Sequence, residues 1–271
     1  MAQQYYYLIS GLPGISLDES RNLPSFKALT DDILPLLSEE DRASLKLLRT
    51  EADLKNLIRH LDKVDRPFDN NGNLSEEELE EAVRDSSALP PCMQRIIASR
   101  KENRSLQSAL APDDEASAEY FQDLLSSPDP FIQAYSKFEF ILRNVLAGLS
   151  ARKYKMAIES VIVGNDPISD NIKKSGSPDF GLSAEYPWVN KLLSLPADDP
   201  IESEKRIDQL RFSVMDELSA FDGFGSAIVF VFVLKLRSAE RWKSLAPEIG
   251  RALTEKLVAE TRARLEELIR I

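Results

Sequence analysis

The stretch Asp69-Asn-Asn-Gly72-Asn-Leu-Ser75-Glu-Glu-Glu78 carries residue types that bind hard divalent cations. With Gly72 at the sixth position of a calcium loop, Asp69, Asn71, Ser75 and Glu78 fall at positions three, five, nine and twelve. Oxygen donors at that spacing can wrap calcium, and the glycine permits the sharp turn. Position one, however, is Pro67, whose side chain offers no ligand where such loops carry an acid. The same residues are also accounted for by a glycine turn entering a capped helix. Ser75 is the N-cap, and Glu78 at the third helical position reaches back to close a capping box. The capped turn is the expected reading, with a calcium-regulated protein as a lesser alternative, and no metal ligand is assigned.

Other chemistry finds little support. The pairs Gly11-Leu-Pro-Gly14 and Gly223-Phe-Gly225 are too glycine-poor to cradle a phosphate, and no G-x-x-x-x-G-K-[ST] motif occurs. A nucleophile–base pair would have to recruit His60, the one histidine, or Cys92, the one cysteine. There is no G-x-S-x-G elbow. His60 is expected on the polar side of its helix, and Cys92 as a buried, inert thiol. A site of the cysteine–histidine metal type is excluded by those counts. No catalytic residue and no cofactor is expected; the pattern is that of a binding or structural protein and not an enzyme.

Composition sets the frame for this reading. The 271 residues suggest about two domains. With 43% hydrophobic and 29% charged residues, the chain can bury a substantial core. A net charge of −11 argues against general nucleic-acid binding, which needs clustered lysine and arginine, and suits basic protein partners. A lone cysteine rules out an intramolecular disulfide and fits a cytoplasmic setting. The N-terminal Met1-Ala-Gln-Gln-Tyr5 lacks the basic and apolar regions of a signal peptide. The longest apolar run, Ala227 to Leu234, falls far short of the roughly 20 residues a membrane span requires. No direct membrane insertion is therefore expected and, with no catalytic motif, no small-molecule substrate.

Helical signals dominate the elements. Ser38-Glu-Glu-Asp41 and Thr50-Glu-Ala-Asp53 both resemble helix starts, and Leu54, Leu57, Ile58 and Leu61 recur at helical period. A helix near Cys92 to Lys101 buries Met93, Ile96 and Ile97; Ala111 to Ala116 reads as a loop, and Ala118 to Leu125 as the next helix. Phe131 to Ile162 reads as one long helix or two, with Phe138, Ile141, Leu142, Val145, Leu146 and Leu149 inward and a Glu139–Arg143 pair on the surface. Gly164 to Pro187, rich in turn formers, is the expected long loop or linker. Ile207, Leu210, Val214 and Leu218 form the face of another helix. The run Ala227 to Leu234 suits strand or helix, and buried helix is preferred because no partner strand is evident. Pro247 to Ile271 reads as a final amphipathic helix that packs on the body. The expected architecture is an all-α, multi-helix scaffold, with an N-terminal helical domain at 1–110 and a second at 111–271 containing the loop at 164–187.

Two segments look alike. Residues 129–144 and 222–237 each open on Asp-x-Phe-x-x-Ala, run through aromatic and apolar residues, and end near an arginine at a constant offset of 93. A duplicated helical unit would favour a scaffold over an active site.

Three blocks then resemble one bacterial family: Tyr5-Tyr-Tyr-Leu-Ile-Ser-Gly-Leu-Pro-Gly-Ile-Ser-Leu-Asp18, Phe68-Asp-Asn-Asn-Gly-Asn-Leu-Ser-Glu-Glu-Glu-Leu79, and Phe138-Glu-Phe-Ile-Leu-Arg-Asn144. That family has no assigned activity, and its genes typically lie among those of bacterial V/A-type ATPases. The segment from Phe224 to Trp242 is similar to the last pseudo-repeat of the V-type ATPase funnel subunit, the one that links rotor stalk to membrane ring. The resemblance implies a non-catalytic, all-helical protein joining the central rotor stalk to the ring. It also implies stalk and ring subunits as partners, and a cytoplasmic location held peripherally at the inner membrane. The funnel subunit has three similar domains, whereas this chain is shorter and shows two copies of its repeat. The alternative is a helical adaptor or assembly factor that binds another protein. Partner-binding residues are not assigned, beyond the exposed ends of the two repeats.

Overall fold

Proline starts five of the eleven α-helices in a computed structural model that describes residues 4–17, 24–102, 104–106 and 109–244. In chain order the helices are α1 (Tyr6–Gly11), α2 (Phe26–Ile33), α3 (Glu39–Leu61), α4 (Glu76–Arg84), α5 (Pro91–Lys101), α6 (Pro112–Leu125), α7 (Pro130–Tyr154), α8 (Pro167–Lys174), α9 (Val189–Leu193), α10 (Pro200–Ser219) and α11 (Ser226–Ser244). No strand occurs among the described residues, so the fold is all-α. The Asp-Pro dipeptides before α7, α8 and α10 show why these helices begin where they do. Asp129, Asp166 and Asp199 each accept a backbone N–H of the first turn, from Ile132 at 2.9 Å, Ile168 at 2.9 Å and Glu202 at 2.9 Å. The proline that follows has no N–H to leave unsatisfied and its φ is already helical.

Helix α3 is the spine. Ser38 caps Asp41 N at 3.1 Å, and three acids fill the first turn while Arg59 and His60 fill the last, matching the helix dipole at both ends. Its buried Leu45, Leu48, Leu54, Leu57 and Ile58 face a continuous apolar core. Helix α6 packs on α3 and α5, α7 packs on α6, α8 and α10, and α11 packs on α10 and α2. Helix α6, which opens the expected second domain, thus lies directly on two helices of the first. The ambiguous run 227–234 is helix within α11, with Val229, Phe230 and Val233 buried.

Several sequence readings need correction. Thr50 does not start a helix: α3 runs through it unbroken, and its hydroxyl donates to Lys46 O at 3.0 Å. The expected loop at 111–116 is already helical from Pro112. Helix α7 stops at Tyr154, where Lys155 takes a left-handed φ of 54°, and a short 3-10 turn follows at Ile158–Ser160. The segment 164–187 is not one open loop. It contains α8, it buries Ile172, Phe180 and Leu182, and the Arg152 guanidinium stacks over the Phe180 ring at 3.8 Å. Gly148 permits that closure, since a Cβ there would meet Phe180 Cζ at 2.8 Å. On α10, Leu218 is exposed, while Met215 and Ser219 take the buried positions. The expected helix at Pro247 to Ile271 lies outside the described residues.

The candidate calcium loop is held by α3. Arg49 donates to Asn71 O at 3.1 Å and also to Gly72 O. Asp53, one turn on, accepts from Asn73 N at 2.8 Å and Leu74 N at 3.1 Å. Asn56 exchanges two bonds with the Asp69 backbone, both at 2.8 Å. Asp69 accepts from Asn71 N at 3.0 Å, and Glu78 accepts from Ser75 N at 2.8 Å, completing a capping box. Asp69, Ser75 and Glu78 are thus turned to the backbone of their own turn, and the Asn71 side chain to Glu240. Gly72 is required by proximity, because a Cβ there would sit 2.1 Å from Asp53 Oδ1. Gly72→Ala is expected to displace the Asp53 carboxylate and cost about 1–3 kcal/mol in urea denaturation, with Asp53→Ala costing a similar amount by orphaning buried N–H groups.

Candidate functional site

Charged residues that interrupt apolar helix faces converge in the interior. Glu139 sits between Phe138 and Phe140 on α7, Asp208 follows Ile207 on α10, and Arg237 follows the apolar run of α11. Glu51 on α3 meets Arg143 of α7 through Oε1 at 3.2 Å and Arg237 of α11 through Oε2 at 2.9 Å. Arg143 also reaches Glu139 at 2.8 Å. Glu139 accepts two further bonds from Arg211 of α10, each at 2.9 Å. Arg211 passes on to Asp208 at 2.9 Å, and Asp208 takes Arg241 at 2.7 Å, Trp242 Nε1 at 2.7 Å and Ser238 at 3.0 Å. One chain of alternating charges therefore joins α3, α7, α10 and α11.

Glu139 and Asp208 are only 7% and 1% exposed. The expected surface pair Glu139–Arg143 is in fact a link in this buried chain. Burial pushes each carboxyl upward, but the guanidinium groups outweigh it. Arg237 and Arg143 hold Glu51 well below the usual carboxylate range. Arg211 and Arg143 lower Glu139, and the bonds from Arg241, Trp242 and Arg211 lower Asp208. The charges line a cleft of about 750 Å³ together with Tyr120, Phe121 and Tyr135. Burial foremost, and then the nearby carboxylates of Glu51 and Glu139 respectively, push the Tyr120 and Tyr135 phenols upward.

The two similar segments share part of this construction. Asp129 and Asp222 each accept a backbone N–H near a helix start, and Arg143 and Arg237 meet opposite oxygens of Glu51. The registers differ, however: at the shared offset Arg143 aligns with Leu236, and α11 begins four residues after Asp222. His60 is exposed in the last turn of α3. Cys92 is fully buried, and burial together with Asp123 pushes its thiol upward, away from a reactive thiolate.

A second surface lies at the other extreme of polarity. Tyr7 and Phe221 are fully exposed, Tyr6 and Phe224 are partly so, and the Tyr6 and Phe224 rings pack 4.6 Å apart. Tyr5 N donates to Phe224 O at 2.7 Å, which pins α1 to the turn between α10 and α11. Tyr5 OH also donates to Asp41 and accepts from Ser38 N at 3.0 Å, so this aromatic end is fastened to the start of α3.

The ion-pair chain predicts a pH response with a definite sign. Its carboxyls are lowered in the folded state, so their contribution is complete above the unfolded range near pH 4.3 and is lost as pH falls through the folded values. Urea denaturation from pH 7 downward should show stability falling below about pH 5. Glu139→Ala should cost about 1–3 kcal/mol at pH 7, because Arg143 and Arg211 lose a shared partner while keeping Glu51 and Asp208, and should flatten that acid decline.

No curated protein and no solved structure matches this chain. Residues 1–262 match a family described as Protein of unknown function (DUF2764), and the chain belongs to that family.

Proposed function

We propose that this chain is a non-catalytic, partner-binding component of a bacterial V/A-type ATPase. In this reading it acts like the funnel subunit, coupling the central rotor stalk to the membrane ring. The observation that carries the reading is the exposed aromatic end formed by Tyr6, Tyr7, Phe221 and Phe224. Exposed aromatics grouped on a rigid body are the usual anchors of protein interfaces. The body behind them is braced across four helices by ion pairs, as a part that carries load needs to be. The resemblance of residues 224–242 to the end of the funnel subunit supports the same role, since that segment includes Phe224 of the aromatic end and Arg237 of the brace. The net charge of −11 complements basic loops on a partner. No helix among the described residues is long and apolar enough to cross a membrane, so attachment would run through protein contacts.

Affinity capture of the tagged chain from gently solubilised membranes of its host tests this. Stoichiometric stalk and ring subunits are expected. A Tyr7→Ser, Phe221→Ser variant should recover at least about tenfold less at unchanged melting temperature, since both side chains are exposed. Substoichiometric, salt-sensitive recovery would point instead to an adaptor or assembly factor. Absence of every ATPase subunit would overturn the reading.

A further inference from the structure

The cleft between α3, α7, α10 and α11 has an uneven supply of hydrogen bonds. Its carboxylates are occupied. Glu139 accepts three bonds from Arg143 and Arg211, and Asp208 accepts from Arg211, Ser238, Arg241 and Trp242. Glu51 meets Arg143, Arg237 and Lys55. Its donors are not used up. A guanidinium carries five N–H groups. Among the described residues, Arg237 engages a carboxylate through one nitrogen, and Arg143 engages its two through Nε and Nη1. Both side chains line the cleft and keep 27% and 39% of their area accessible.

A second observation points the same way. Ser136 lines the cleft, is only 2% exposed, and its hydroxyl has no hydrogen-bond partner among the described residues. A buried hydroxyl without a partner is disfavoured, so such a group marks a place where something polar belongs. Tyr120, Phe121 and Tyr135 supply ring surface beside it, and about 750 Å³ is room for a small organic molecule.

We propose that this cleft binds a small organic anion. Its oxyanion, a carboxylate or a phosphate, meets the open N–H groups of Arg143 and Arg237, its body lies against the rings, and Ser136 supplies the remaining bond. A ligand so placed touches α7 and α11 through the two arginines, which both hold Glu51 of α3, and so ties its binding to the brace that holds the helices together. This goes beyond partner binding and does not depend on it.

Calorimetry on the full chain at pH 7 and low salt tests the proposal, with benzoate, phenyl phosphate and uncharged benzyl alcohol as probes. At least one of the two anions should bind with a dissociation constant of about 1 mM or tighter, and benzyl alcohol about tenfold more weakly or not at all. The better anion assigns the oxyanion. Ser136→Ala should weaken binding of that anion about threefold to tenfold at unchanged melting temperature, because its hydroxyl makes no bond to the described residues. Arg237→Lys, which keeps the charge beside Glu51 but loses the planar fork, should weaken it further. Equal binding of benzyl alcohol, no binding of either anion, or an affinity untouched by Ser136→Ala would each overturn the proposal.

Discussion

The structure depends on the charge chain that starts at Glu51 and ends at Asp208. Taking such groups out of water is costly, and their attraction repays that cost only when every member is matched. Here the matching is nearly complete on the acid side. Each of Glu51, Glu139 and Asp208 meets at least two cationic side chains, and all three carboxyls stay below their ordinary range despite burial. Because its members sit on α3, α7, α10 and α11, the chain sets the relative placement of helices that apolar contact alone would leave free to slide. Apolar packing is non-directional, whereas a guanidinium–carboxylate pair has a preferred geometry.

A second, smaller device repeats the idea with buried polar side chains. Arg49, Asp53 and Asn56 follow one another along one side of α3, and together they hold the backbone of residues 69–74. That turn then delivers Ser75 and Glu78 into the capping box of α4. A segment with the composition of a cation loop is thereby a structural clasp. Asn71 also reaches Glu240 on α11 at 3.3 Å, so the clasp joins the same helix that carries Arg237 and Arg241.

The interior is cross-braced by directional ionic bonds, and the exposed aromatic end is anchored to α3 through Tyr5. The brace itself lines a cleft, and the spare donors there belong to the bracing arginines. The proposed anion would therefore bear on the brace itself.

Much of the fold was legible in the sequence. Ser38 with its acidic turn and Ser75 with Glu78 each act within a few residues, and local backbone chemistry is what a linear reading can follow. The apolar periodicity of Leu54 to Leu61 and of Phe138 to Val145 likewise marked core faces. The same reading misjudged Thr50, the 164–187 segment and Leu218, because burial against a distant helix decided each of them. Glu139 and Arg143 looked like a solvated pair, since nothing in spacing reveals that Glu51 lies 92 positions from Arg143 in sequence and within bonding distance in space. The amino-acid sequence by itself determined the all-α class, several helix starts and the family. Only the tertiary structure decided which charges are buried, because the cost of burying a charge is set by partners that the chain brings together on folding.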